Sequence, residues 1–267
     1  MKHLNQFITE YIIKKKLDKP IDSEDRYEYF PDTKKELISN IKELLNKGET
    51  NLNCIDTSQI TDMSDLFSDS DANKINIKDM NINISDWNVS NVIHMSEMFN
   101  NCHSFDCDLS DWNVSKVEDM EYMFVSCENF TGKGLENWNV SNVKDMGAMF
   151  ANCKKFTGNT IENWNVSKVV YMNEMFSGCN KLDCDLSNWN VGNVKDMLCM
   201  FKTCKSFKGK GLENWDVSNV IDMSFMFYNC YNFNYDLSKW NTKNVKYTNE
   251  MFENCKLLKK LPSWYKN

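Results

Sequence analysis

The sequence predicts an α/β solenoid, a right-handed stack of coils that each hold a short strand, a short helix and a link. Three columns in one register predict it. Tryptophans fall at 87, 112, 138, 164, 189, 215 and 240, in steps of 25 or 26 residues. Met-Phe pairs end at Phe99, Phe124, Phe150, Phe176, Phe201, Phe227 and Phe252 with the same steps. A cysteine stands three residues after each pair, from Cys102 to Cys255. A single unit of this kind cannot bury its own apolar edge, so stacking on the next copy makes the core.

The elements follow in chain order. Leu4, Phe7, Ile8, Tyr11 and Ile12 mark an amphipathic helix. Pro20 and Pro31 bracket an acidic link. Thr33-Lys34-Lys35-Glu36 is a capping box that opens a second helix along Leu37, Ile38, Ile41, Leu44 and Leu45. Residues 1–50 therefore read as a helical N-terminal cap, with a small docking module as the alternative, and 51–267 as the solenoid. A degenerate copy, from Ile60 through Met63 to Phe67, opens the series, and Trp264 starts a truncated last coil.

Within a coil, Trp87 and Val89 alternate as a short strand does. Met95, Met98, Phe99 and Cys102 follow i, i+3, i+4, i+7, one face of a short helix. Asp precedes the first Met at 62, 119, 145, 196 and 222, where it can cap that helix. A second strand is expected through Phe105 to Leu109. The period is too short for paired-helix repeats of about 34 residues and falls in the leucine-rich range of about 20–29. Parallel stacking at about 4.8 Å makes seven to eight coils a rod roughly 35–40 Å long. The longer links, such as Thr131-Gly132-Lys133-Gly134-Leu135-Glu136, absorb an extra residue, and glycine supplies the positive φ this needs.

The composition is that of a soluble globular chain, 42% hydrophobic and 26% charged. Lys+Arg and Asp+Glu number 10 each in residues 1–50 and 21 against 28 afterwards, so the repeats carry the whole net charge of -7. A net-acidic body with Arg26 as its only arginine argues against gripping nucleic-acid phosphate. No apolar run approaches the roughly 20 residues that span a bilayer. Lys14, Lys15 and Lys16 interrupt the N-terminus where a secretory signal would be apolar. No membrane insertion is expected, and the compartment stays open between cytoplasm and non-classical export.

Eleven cysteines allow three chemistries. Disulfides between neighbouring column cysteines are geometrically allowed at about 5 Å, but nothing indicates an oxidising compartment. Zinc would want a CxxC pair that is absent. Buried free thiols are the favoured reading. His94 replaces the capping Asp and His103 a variable residue, so no Cys–His nucleophile is expected. The capping Asp residues stand one per coil, too sparse for calcium. Asn-Val-Ser at 88, 113, 139 and 165 has the form of a glycan sequon but recurs as a fixed repeat element. No catalytic residue, metal or cofactor is expected.

Function then falls to the columns that vary. Tyr122, Lys144, Tyr171, Lys195, Phe225, Tyr228, Tyr231, Lys246 and Tyr247 are the candidate binding residues. Exposed aromatics are the usual anchors of protein contacts.

The unit Trp138-Asn139-Val140-Ser141-Asn142-Val143-Lys144-Asp145-Met146-Gly147-Ala148-Met149-Phe150 resembles the repeat of BspA-like leucine-rich repeat proteins, also called Mycoplasma-type surface-protein repeats. The lead-in from Leu52 through Ile55 and Ile60 to Met63 is similar to that family's. The resemblance covers about 52–267. It implies a leucine-rich-repeat-type solenoid and a surface protein that adheres to host or matrix components, with no catalytic residues to carry over. The lack of an export signal departs from that pattern. The expectation is a non-enzymatic interaction scaffold, adhesin-like, that binds a protein or a host or matrix ligand on its variable face. The alternative is a self-assembling structural module. The chain is expected to be a monomer or a weak homo-oligomer.

Overall fold

The computed structural model describes residues 26–68, 75 and 77–266. The expected first helix, Leu4 to Ile12, lies outside them. The second forms as α1, Lys34–Asn46. Thr33 is its N-cap, and its Oγ1 accepts from the Glu36 N–H at 3.2 Å. The reciprocal arm is shifted by one residue, because the Glu36 carboxylate accepts from the Asp32 N–H rather than that of Thr33. Gly48 ends the helix at φ +83. Its N–H bonds the Leu45 carbonyl while that of Glu49 bonds Leu44, the paired closure a left-handed residue allows. Leu37, Ile41 and Leu44 bury α1 on the same continuous core as the repeats.

The repeats differ from the expected strand and helix. The i, i+3, i+4, i+7 set does face inward: Met146, Met149, Phe150 and Cys153 are fully buried. The backbone under it is a run of turns, not an α-helix. In that repeat the N–H groups of Met149, Ala151 and Cys153 bond back to Met146, Ala148 and Phe150, at 3.0–3.2 Å. The intervening N–H groups, of Met146, Ala148, Phe150 and Asn152, bond forward to Tyr171, Asn173, Met175 and Ser177 at 2.7–3.1 Å. Two residues per repeat take a left-handed φ to allow this, here Ala148 at 50° and Asn152 at 62°. Beyond its first turn, a helix would spend its N–H groups within its own segment. The ribbon divides them between its own turns and the neighbouring repeat.

This makes the ribbon polar. Donors line the edge toward the next repeat and acceptors the edge toward the previous one. The same register repeats as parallel bridges from Asp62 through His94, Asp119, Asp145, Tyr171, Asp196 and Asp222 to Tyr247. Among the described residues these are isolated bridges, and neither expected strand forms a named strand. The Trp-Asn-Val segment alternates in and out as expected. It reaches its neighbour by side chain: the Trp138 indole N–H donates to the Leu109 carbonyl at 3.1 Å. All eight tryptophans make this bond to the preceding repeat.

Aromatic columns fill the interior. Phe67, Phe99, Phe124, Phe150, Phe176, Phe201, Phe227 and Phe252 stack successively with centroids 5.4–5.9 Å apart. In the longer links Gly134 and Gly211 hold φ near +90 and lead into short 3-10 turns, Leu135–Asn137 and Leu212–Asn214. A Cβ on Gly134 would lie 2.2 Å from the Ser110 nitrogen, so the backbone approach itself demands glycine.

Candidate functional site

The ribbon turns its Met, Phe and Cys side chains inward and leaves its other columns on the outer face. The bridge column comes first. Its Asp residues do cap, but they cap a turn instead of a helix. Asp119, Asp145, Asp196 and Asp222 each accept from the N–H two residues on, at 2.7–3.0 Å. The stacking that fixes these turns also aligns their carboxylates. Burial raises the Asp145 pKa, helped by Asp119 and Asp196 and opposed by the Gly147 N–H. Asp196 is raised by burial and by Asp222. Glu121 is raised by burial, then by Asp145, Asp119 and Glu97. The face is thus a carboxylate ridge whose members repel one another.

Tyrosines interrupt that ridge. Tyr171 and Tyr247 occupy the bridge column and are 46% and 52% exposed. Asp196 and Asp222 stand between them in the ladder, so the two phenols lie roughly 14 Å apart at parallel spacing. Lys144, Lys195 and Lys246 share the adjacent column and are exposed. Lys144 pairs with Glu118 at 2.6 Å. Lys195 and Lys246 make no ion pair among the described residues.

The remaining candidates were expected to be exposed, and they are half-buried: Tyr122, Phe225, Tyr228 and Tyr231. Tyr122 and Phe225 fall in the left-handed column, at φ 56 and 58. Phe225 and Tyr228 meet edge to face at 6.0 Å, and the Lys202 ammonium covers both rings at 5.6 and 5.8 Å. Lys256 covers Tyr231 at 4.9 Å. These contacts satisfy the rings within the chain. Ile93 and Ile221, 38% and 39% exposed in the lysine column, were not among the candidates. Their signal was in the sequence, as apolar members, with Val170, of a column whose other members Glu118, Lys144, Lys195 and Lys246 carry charge.

The thiols are structural. All eleven cysteines are free. Each column cysteine donates its S–H to the carbonyl of the Met-Phe (or Leu66-Phe67) phenylalanine one repeat back, for example Cys179 to Phe150 at 2.9 Å. Burial pushes the Cys127, Cys153, Cys204 and Cys230 thiols far up, which holds them neutral. The sequon asparagines are exposed, and their Oδ1 atoms accept from the Ser two residues on, as in the Asn139 turn with Ser141. Among the described residues no group of three or more His, Cys, Asp or Glu could hold a metal ion. No helix among them is long and apolar enough to cross a membrane.

A family model described as Mycoplasma protein of unknown function, DUF285, matches residues 35–134, 126–212 and 200–266. The chain belongs to that family. Each DUF285 match spans three of the stacked phenylalanines, and the first begins within α1, so the matched region takes in helix and repeats alike. No curated protein and no solved structure matches the chain.

Proposed function

We propose that the chain is a non-enzymatic interaction scaffold, built as a leucine-rich-repeat-type right-handed solenoid. It is adhesin-like, in keeping with its resemblance to BspA-like repeats, and binds a protein or a host or matrix ligand on its outer ribbon face. One observation carries this reading. Tyr171 and Tyr247 stand exposed on one column, with two carboxylates between them and the unpaired Lys195 and Lys246 alongside. Aromatic anchors set among charges of both signs are what a protein contact uses. The hydrogen-bonded ladder holds them in place before binding, so little ordering entropy is lost.

Two variants test it. A Lys144→Glu, Lys195→Glu, Lys246→Glu triple reverses one column, and Tyr171→Ser with Tyr247→Ser removes the anchors. Partners captured by the wild-type chain, from source and host extracts, are expected to be lost or weakened at least tenfold with either variant. Unchanged capture by both would put the function on another surface. A sedimentation series separates this reading from self-assembly, which makes the mass rise with concentration.

A further inference from the structure

We infer that the asparagines that follow the tryptophans, Asn88, Asn113, Asn139, Asn165 and Asn190, form a docking track for an extended, acidic segment of a partner protein. The track runs along the Trp-Asn-Val segments, apart from the ribbon. The first support is the set of groups it offers. Each of the five accepts through Oδ1 from the N–H two residues on, at 3.1–3.2 Å. An amide held by its oxygen turns its NH2 group outward. All five are exposed, and none of these NH2 groups meets an acceptor among the described residues. The Ser115, Ser141 and Ser167 hydroxyls stand two residues on, half-buried, and make no bond among the described residues either. Each of these coils thus offers a donor and an acceptor side by side. The edge of an extended polypeptide presents the complement, one C=O and one N–H at every second residue.

The second support is register. The Trp112, Trp138 and Trp164 rings stack within 2° of parallel, with centroids 6.2 Å apart. Rings so nearly parallel are related by translation, so 6.2 Å is the step between coils beneath these asparagines. It is wider than the 5.4–5.9 Å of the phenylalanine column. Two residues of an extended chain advance about 6.6 Å. A chain laid along the track therefore meets one asparagine with every second residue, and the five asparagines take in about nine residues. The third support is charge. Lys116 and Lys168 are exposed beside the serines, two coils apart, and donate to Asn91 and Asn142 at 2.7 Å. Neither has a carboxylate partner among the described residues. On the other flank Asn137, Asn163 and Asn188 carry no charge. Acidic side chains four residues apart on the bound segment share one side of it and match the spacing of the two lysines.

Two other occupants fit less well. A nucleic-acid backbone brings a phosphate with every nucleotide, and Lys116 and Lys168 are too few to neutralise that row. A second copy laid face to face would set NH2 groups against NH2 groups, because the Oδ1 atoms are already taken by the turns. A polypeptide edge supplies acceptors and donors alike at the step the track requires.

The test uses the full chain and an acetylated nine-residue threonine peptide with glutamate as its third and seventh residues. Saturating peptide is expected to shift the side-chain NH2 resonances of Asn113, Asn139 and Asn165. Lysine in place of both glutamates is expected to weaken binding about fivefold or more. Asn113→Asp with Asn165→Asp removes two donors and keeps the turn, since Asp216 accepts the Ser218 N–H in the same way at 3.0 Å. Against the glutamine form of the peptide, where charge repulsion plays no part, this variant is expected to bind about fivefold or more weakly than the wild-type chain. The peptide arm reads out on the wild-type chain and is independent of any folding defect in the variant. Unmoved NH2 resonances overturn the proposal, and so does a lysine peptide bound as well as the glutamate one. Unchanged affinity in the Asp variant overturns it too. Shifts produced by inorganic phosphate alone mark an anion site, and shifts that grow with chain concentration in the absence of peptide mark a second copy. Either result overturns the proposal as well.

Discussion

Replacing Trp164 by phenylalanine probes the ladder at its middle. Trp164 is 3% exposed, and its indole N–H donates to the Leu135 carbonyl at 2.8 Å. Its ring stacks on Trp138 at 6.2 Å and tilts against Phe150 at 6.2 Å. Phenylalanine removes the donor. The Leu135 carbonyl keeps its second bond, from the Trp138 N–H at 3.1 Å, so it is not left bare. The loss is then near the net value of about 1 kcal/mol. The smaller ring gives up roughly 40 Å² of apolar contact, about 1 kcal/mol, and an incompletely closed cavity adds to it. The expected destabilisation is about 2–3 kcal/mol. Trp264 makes the same bond at 2.9 Å, but it is half-buried and has no described repeat beyond it. Trp264→Phe should cost about 1 kcal/mol. Urea unfolding followed by circular dichroism gives both values, with the slope checked for constancy. The reasoning fails if Trp164→Phe lies within about 0.5 kcal/mol of wild type, or costs no more than Trp264→Phe.

Three further outcomes are expected. Thr203 is β-branched at φ 63, so Thr203→Gly should raise stability by about 1 kcal/mol, read from the urea midpoint. Gly134→Ala places a Cβ 2.2 Å from backbone at φ +91 and should cost more than about 3 kcal/mol, or prevent folding. Asp145→Asn keeps an acceptor for the Gly147 N–H and removes a repelling charge. Burial and like charges raise the Asp145 pKa on folding, so wild-type stability is lost as pH rises through that raised value. The Asn variant escapes that loss. It should be more stable near neutrality by about 0.5 kcal/mol, discounted for partial exposure, and should match wild type below about pH 3.8, the ordinary Asp value.

The stacked columns were legible because they repeat. Trp87, Met95, Met98, Phe99 and Cys102 are buried as their spacing says. The secondary structure was not legible from the same spacing. An i, i+3, i+4, i+7 pattern reports which residues face inward, and a run of turns supplies that facing as well as a helix does. The distinguishing signal is the pair of left-handed positions. One of them reads Asn101, Ser126, Asn152, Gly178, Thr203, Asn229 and Asn254, where the four Asn and the Gly are residue types that tolerate positive φ. The other reads Asp65, Glu97, Tyr122, Ala148, Glu174, Cys199, Phe225 and Glu250, which gives no such hint. In the candidate surface, column position located Tyr171 and Tyr247 as exposed. It did not show that Lys202 would cover Phe225 and Tyr228, because Lys202 stands one repeat earlier and the contact exists only once repeats stack.

Amide hydrogen exchange on the native chain tests the polar ribbon most directly. Met172, Glu174, Phe176 and Gly178 bond forward to Asp196, Leu198, Met200 and Lys202 at 2.7–3.1 Å, and their amides should exchange slowly. The equivalent amides of the last ribbon, Thr248, Glu250, Phe252 and Asn254, should exchange fast. A helix starting at Met172 would leave Met172 and Glu174 unprotected in its first turn. Rapid exchange at those two residues, or equal protection in both ribbons, would contradict a ladder built from forward-facing donors.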